Sequence, residues 1–393
     1  MLATAIWLST AVMAQESPGE AREEPTMLEK LRDEVSKGFS SRITLLGSDV
    51  VQRPVASDLN PKNILEIPRY QIELDLRPDL YQNFRSLALS VKPRLELFWR
   101  RWEDGVRQGQ SDAQVDAFVL EWLARYRLIN QLFVSYGREN LQWGPSYLLS
   151  PSNPFQRDNG QNKPKAEVRG LDYGRVVWIP SSTWTASFIA NTDNAWIRDF
   201  HKTYAIKLDY TGEKKYFSLI PSYGENDTLE NGPKLKLGFF GGWTVSDALL
   251  LHVEGSLPNP LNKAAILVGG TYTLELGPTI AAEFFHDGNG CTLGRIELCF
   301  VPGFGNAKRT DVLIRQNYLL VQYSHSRIKD VVNLTLRWIH NFDDDSNRFT
   351  GTLEYDLGDS MQLFAIGDID RGDRHSEFNL LNYSLKVGVR FTF

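Results

Sequence analysis

Tyr383-Ser384-Leu385-Lys386-Val387-Gly388-Val389-Arg390-Phe391-Thr392-Phe393 is the stretch on which the reading turns. Six residues, Tyr383 through Phe393 at every second position, are apolar or aromatic, and the five between them are small or charged. A period of two is the signature of a β-strand whose faces meet different surroundings. In a soluble sheet the apolar face would meet a core. In a membrane barrel it would meet lipid, while Lys386 and Arg390 would line the lumen.

The ending decides between them. A terminal Phe393, with Phe391 two, Gly388 five and Lys386 seven residues before it, resembles the C-terminal signal of bacterial outer-membrane barrels. That resemblance implies a transmembrane antiparallel β-barrel whose last strand is what the insertion machinery recognises, in the outer membrane of a Gram-negative bacterium.

The same rhythm runs through most of the chain after residue 68. Tyr70, Ile72, Leu74 and Leu76 alternate with Gln71, Glu73, Asp75 and Arg77, and Leu95, Leu97 and Trp99 alternate with Arg94, Glu96 and Arg100. Val332, Leu334, Leu336 and Trp338 alternate with Asn333, Thr335 and Arg337. The chain is 42% hydrophobic and 23% charged, with 10 Trp, 15 Tyr and 21 Phe, a composition that suits alternating strands with aromatic girdles. Its net charge of −5 gives no support for a nucleic-acid partner. An extracellular β-sandwich or propeller explains the alternation, but not the terminal Phe or the asymmetric connections.

Connections give the topology. Short turns are expected at 357–360, 276–278, 245–247, 211–213 and 180–182. Longer outer stretches are expected at 341–349, 287–311, 224–233, 192–202, 139–169 and 101–114. Roughly 17 strands follow residue 69, and strand number in bacterial barrels is usually even. One more is therefore expected upstream, with Ser41–Leu46 the best candidate. The expectation is about 18 strands, with about 16 as the fallback, and a water-filled lumen.

Residues 1–14 form an apolar run ending in Val12-Met13-Ala14 and read as a signal peptide, although no Lys or Arg precedes Arg22. Residues 15–38 are polar and helix-compatible, a periplasmic segment, and the barrel is expected over 39–393.

One loop carries a pattern of its own. Tyr136-Gly137-Arg138-Glu139-Asn140-Leu141-Gln142-Trp143-Gly144-Pro145 leads into Leu149-Ser150-Pro151-Ser152-Asn153-Pro154-Phe155. The segment resembles the strand and loop of outer-membrane barrels of the capsule-assembly (Wzi-type) and alginate-export kinds, which implies binding or export of an acidic polysaccharide. Its prolines stiffen a long connection that could fold into the lumen and narrow it. Arg138, Arg157, Lys163 and Lys165 would then face a passing anion. Alternatively, Arg138 pairs with an interior carboxylate and Trp143 only anchors the loop.

Inward basic residues by alternation are Arg77, Lys92, Arg94, Arg100, Lys207, Lys234, Lys236, Arg337, Lys386 and Arg390. Inward acids are Glu73, Asp75, Glu96, Asp209, Glu254, Glu283, Glu354 and Asp356. Ten minus eight is +2, against −5 for the whole chain, a lean toward anions. Cys291 and Cys299, in an oxidising compartment, are expected to form a disulfide. Two thiols without nearby His make zinc improbable, and the six His show no metal-ligand spacing. Asp343-Asp344-Asp345 could hold Ca²⁺, but a bare acidic loop is more often solvated surface. There is no Gly-x-Ser-x-Gly elbow and no phosphate-cradling loop. The sequence therefore points to a non-catalytic channel passing polar solutes by diffusion, with a lean toward anions, and without cofactor or metal. The second reading is the polysaccharide one. The partners expected are outer-membrane lipid, the barrel-insertion machinery and the polar solute or polysaccharide.

Overall fold

A computed structural model describes residues 34–193, 202–225, 234–259, 261–301, 307 and 312–393. The expected signal peptide, and most of the segment that follows it, lie outside the described residues. Glu34 to Gly38 form a helical turn, and the first strand starts directly after it.

Strands β1 (Phe39–Pro54), β2 (Tyr70–Phe84), β3 (Leu87–Arg101), β4 (Ser111–Ile129), β5 (Leu132–Glu139) and β6 (Leu171–Trp178) open the barrel. They are followed by β7 (Trp184–Asp193), β8 (Thr203–Thr211), β9 (Lys215–Gly224), β10 (Lys234–Thr244), β11 (Leu249–Pro258) and β12 (Ala265–Thr273). The last six are β13 (Thr279–Asp287), β14 (Asn317–Ile328), β15 (Val332–Asn341), β16 (Ser346–Asp356), β17 (Met361–Arg371) and β18 (Leu381–Thr392). Every strand pairs antiparallel with its chain neighbours, and β1 pairs with β18 from Thr44↔Thr392 to Pro54↔Leu381. The sheet is thus a closed barrel of 18 strands, which leaves no wall edge where two neighbours run at equal height.

The alternation predicts the faces. Leu74, Leu97, Phe349 and Leu385 stand exposed on the outside, whereas Asp75, Arg94, Glu254 and Glu283 are buried on the inside. Register holds this arrangement, because a one-residue slip would turn each charged set toward lipid. The upstream strand exists and continues well past Leu46, to Pro54. An even strand number brings both ends of the wall to the side of the short turns.

One connection differs from expectation. The stretch 341–349 is not a long outer loop: β15 runs to Asn341 and β16 resumes at Ser346. The acidic run ties this short turn to the chain entering β14 and to its own far side. Asp343 accepts from the Gln316 and Asn317 N–H groups at 2.7 and 2.8 Å, and Asp344 accepts from the Ser346 hydroxyl at 2.6 Å. Two outer connections that the sequence did not single out, 55–69 and 372–380, are substantial.

Cys291 and Cys299 are disulfide-bonded, with Cα atoms 5.8 Å apart, and close a loop beyond β13. This loop packs against its neighbours. The Ile296 N–H donates to the His375 carbonyl at 3.2 Å, and the buried Arg315 donates to Asp344 at 3.1 Å. Beside them, Glu377 accepts from Tyr318 Oη at 2.5 Å, Asn341 Nδ2 at 2.9 Å and the Ile314 N–H at 3.0 Å. Burial, with Asp344 nearby, pushes the Glu377 carboxyl up to about 7 despite these donors. A raised carboxyl gives stability that is complete below its unfolded value near 4.5 and is lost as pH rises through 7. The outer cap is therefore expected to loosen by about 3 kcal/mol between pH 4.5 and 8. Hydrogen exchange of the 372–380 amides should quicken over that range, after correction for intrinsic rate, and Glu377→Gln should flatten the dependence.

Candidate functional site: a loop clamped inside the lumen

The connection between β5 and β6, residues 140–170, leaves the wall and folds into the barrel. Its ends are adjacent, since Glu139 pairs with Leu171. Its path is fixed by four sets of contacts on different parts of the inner wall.

The first is Glu254 on β11, fully buried. Its carboxylate accepts from Ser146 Oγ at 2.6 Å, Ser150 Oγ at 2.5 Å and Ser152 Oγ at 2.7 Å. Gly144 lies directly against it with φ +90, where an added Cβ would stand 2.2 Å from the Glu254 Oε2. The Trp-Gly-Pro and Ser-rich motif thus has a local reason. Glycine permits both the turn and the close approach, and the serines satisfy a buried charge. The second is Glu283 on β13, which accepts from the Tyr147 and Leu148 N–H groups at 2.7 and 2.9 Å and contacts His252 Nε2 at 3.0 Å.

Between them Leu148 and Leu149 sit on an inward apolar bed that includes Leu267, Phe285, Tyr318, Leu320 and Ile339. The fourth set lies across the lumen. Arg94 bonds Glu167 of the loop at 2.6 and 2.8 Å and Asp79 of β2 at 3.0 Å. Arg77 donates to the Lys165 carbonyl at 3.2 Å, and Lys165 in turn pairs with Glu354 and donates to Gln362 at 2.7 Å. Arg337 reaches the loop from a further side, at 2.7 Å from both the Gln161 carbonyl and Asn162 Oδ1. The loop is therefore tied to β2, β3, β11, β13, β15, β16 and β17, from one side of the lumen to the other.

The residues singled out from sequence fall into three groups. Arg94, Lys165 and Arg337 hold the loop, as described. Arg138 pairs with Asp172 at 2.8 Å and Arg157 with Asp287 at 2.8 Å; the interior-carboxylate alternative is the one observed for Arg138. Trp143 packs edge-on against Phe155, 6.1 Å between ring centres, and Phe155 against Tyr173 at 5.0 Å. These rings form a small core at the foot of the loop with Leu171 and Ile189, which leaves their faces little room to stack on a sugar. Apart from the loop, Arg100 donates to Gln71 and Gln114 near the outer end of β3. Lys163 is exposed and joins the loop's own turns through its main chain. Arg390 lines a cavity of about 570 Å³ at the inner mouth, with Arg327, Asp356 and Gln362.

The charge tally changes once pairs are seen. Asp79, Glu121, Asp172 and Asp370, left out of it, also face inward, and each is paired with an Arg or Lys. Lys386 pairs with Glu73 and Lys207 with Asp209. Many of the inward charges are thus paired, while Arg100, Arg337, Arg390, Glu96 and Asp116 have no salt-bridge partner among the described residues. The side chain of Lys234 lies outside the described residues.

At the chain end, Phe391 and Phe393 stack 6.5 Å apart, and Phe393, just beyond β18, is largely exposed. Gly388 has a packing reason of its own: an added Cβ would lie 2.4 Å from the Gly47 carbonyl and 2.5 Å from the Phe364 ring.

Sequence reasoning did not mark Glu254 and Glu283 as more than two of eight acids, nor the three serines as their partners. Continuous apolar runs such as Ala265-Ile266-Leu267-Val268 carried a usable signal, because they imply apolar surroundings on both faces of a strand, here the loop inside and the exposed outer wall.

No family model matches the chain, and no curated protein matches it. Solved structures do. OccAB3 of Acinetobacter baumannii is similar over 91% of this chain and 99% of its own, with TM-score 0.55 and 11% identity. The outer membrane protein OprD of Pseudomonas aeruginosa aligns over 90% of this chain and 93% of its own, with TM-score 0.57 and 8% identity. Wzi of Escherichia coli, an outer membrane protein of group 1 capsule assembly described as a carbohydrate-binding β-barrel, aligns over 93% and 87%, with TM-score 0.55 and 9% identity. The fold of this chain is that of the outer-membrane porins, a closed 18-strand barrel.

Proposed function

We propose that the protein is a non-catalytic channel of the outer membrane, through which polar solutes diffuse past the 140–170 loop. The observation that carries this reading is the clamped loop: a polar, charge-lined barrel is narrowed from within by a segment tied to opposite walls. Selection would come from the width left beside the loop and from hydrogen-bonding groups along it, rather than from a net lumen charge. On this reading residues 1–14 direct export. Lys386, Gly388, Phe391 and Phe393 present the last strand to the insertion machinery, and lipid covers the outer face.

The test is single-channel recording of the protein from Gln15 to Phe393 in a planar bilayer under a salt gradient. Discrete steps with a reversal potential near zero are expected, since many of the inward charges are paired and the unpaired ones are of both signs. A potential displaced strongly toward anions would restore selection by lumen charge. Sealed bilayers, with folding verified by heat-modifiable gel mobility, would sink the channel reading and bring retention of an acidic polysaccharide to the front.

A further inference from the structure

β4 is the longest strand, at 19 residues, and β5 beside it has 8. The β3–β4 ladder runs from Arg101↔Ser111 to Leu87↔Tyr126, but β4–β5 pairing starts only at Trp122↔Arg138. β5 leaves the wall at Glu139 to become the lumen loop. Above that point one edge of β4 has no strand beside it among the described residues.

Parity identifies the groups left over. The Trp102 N–H donates to the Gln110 carbonyl at 3.1 Å in the same register. That makes the even-numbered residues of this part of β4 the ones bonded to β3. Ser111, Ala113, Val115 and Ala117 therefore turn their N–H and C=O groups to the open side, and no described residue bonds to them there. Acyl chains cannot satisfy such groups, so this edge stands outside the hydrocarbon, on the side of the long loops.

Side chains add a second observation. Asp75, Glu96 and Asp116 lie side by side on the inner face of three adjacent strands, an arrangement that like charges disfavour. Arg77 pairs with Asp75. Glu96 and Asp116 have no Lys or Arg at ion-pair distance among the described residues, and Asp116 accepts only from Gln114. On the outer face the neighbouring Val115 is 63% exposed.

We propose that the open edge of β4, Ser111 to Ala117, is a docking site for an extended segment of another protein, which adds to the wall as a strand. Such a segment would set a basic side chain opposite Asp116, extending the acidic row with its counter-charge, and place apolar side chains beside Val115. Main-chain bonds would supply the binding and the alternation its selectivity. A second copy does not fit. Two barrels in one membrane share the direction of their axes, and strands tilted by about 40° would cross at about 80° rather than form a ladder. The inference does not depend on whether the barrel conducts.

The probe is a fluorescent ten-residue peptide of alternating Lys and Val, titrated against the whole protein in lipid nanodiscs, with an alternating Glu and Val peptide as comparison. Saturable binding is expected, at least tenfold tighter than for the acidic peptide. The double variant Ala113→Pro, Val115→Pro removes two open-side donors and no bond to β3. It should weaken binding at least tenfold while heat-modifiable mobility is kept. Absent binding, or binding equal in the proline variant, overturns the proposal. Should that variant not insert, Val115→Cys with a peptide carrying one central cysteine decides: a specific cross-link supports the docked strand, and its absence overturns it.

Discussion

Excision of residues 145–165 raises single-channel conductance several-fold while leaving a folded barrel: this is the expected result with the largest effect. The barrel survives because Glu139 and Leu171 are already neighbours in the ladder, so the remaining ten residues can bridge them without strain on the wall. Conductance rises because the excised segment is what joins Glu254 and Glu283 on one side to Glu354 on the other. Some stability is lost as well. Leu148 and Leu149 no longer cover Leu267, Phe285 and Tyr318, at about 1.5–3 kcal/mol for each apolar side chain newly exposed to water, and the thermal midpoint should fall. Recording before and after excision, with far-ultraviolet circular dichroism to verify the barrel, checks the expectation. Unchanged conductance would mean that solutes do not pass this loop.

The second large effect belongs to Glu254. Its replacement by Ala leaves Ser146, Ser150 and Ser152 without their shared acceptor in a buried site. Hydrogen bonds to a charged group contribute about 1.5–3 kcal/mol each. Because water can enter the vacated space, a loss of about 4 kcal/mol in loop anchoring is expected, below the sum of three. The loop then leaves one wall while Arg94 and Arg337 still hold the other. Current should become noisy, with brief openings to larger levels, and proteolysis between 145 and 165 should quicken by orders of magnitude. Glu254→Gln keeps the shape and should fall between. Quiet current in the Ala variant would show that Glu283 and the apolar bed suffice.

The barrel was legible from its alternation because lipid and lumen impose opposite demands on successive residues. Strand number followed from parity and from the direction of the last strand. The acidic run Asp343-Asp344-Asp345 misled, since a loop's length cannot be told from composition when its carboxylates bond a neighbouring connection and their own turn. The loop's entry into the lumen was foreseeable from Pro145, Pro151 and Pro154, whereas its anchoring was not. Glu254 lies more than 100 residues from the serines that bond it, and only the curvature of the wall brings them together. The charge tally was incomplete for a related reason. It counted residues by strand phase, but neutralisation depends on which strands are neighbours, as with Arg94, Asp79 and Glu167.

All ladders but one join strands that follow each other along the chain. The exception is the seam between β1 and β18, and side chains reach over β1 to reinforce it: Lys386 of β18 meets Glu73 of β2 across 313 residues, and Tyr383 of β18 meets Arg69 across 314. Hairpins form quickly from local contacts, and a contact of such separation is slow. Assembly therefore has a single late event: a curled, open sheet with two raw edges persists until the final strand arrives, and then becomes a ring in one step. Loss of the last eleven residues would not shorten the barrel slightly but would leave it permanently open, with β1 and β17 both searching for a partner.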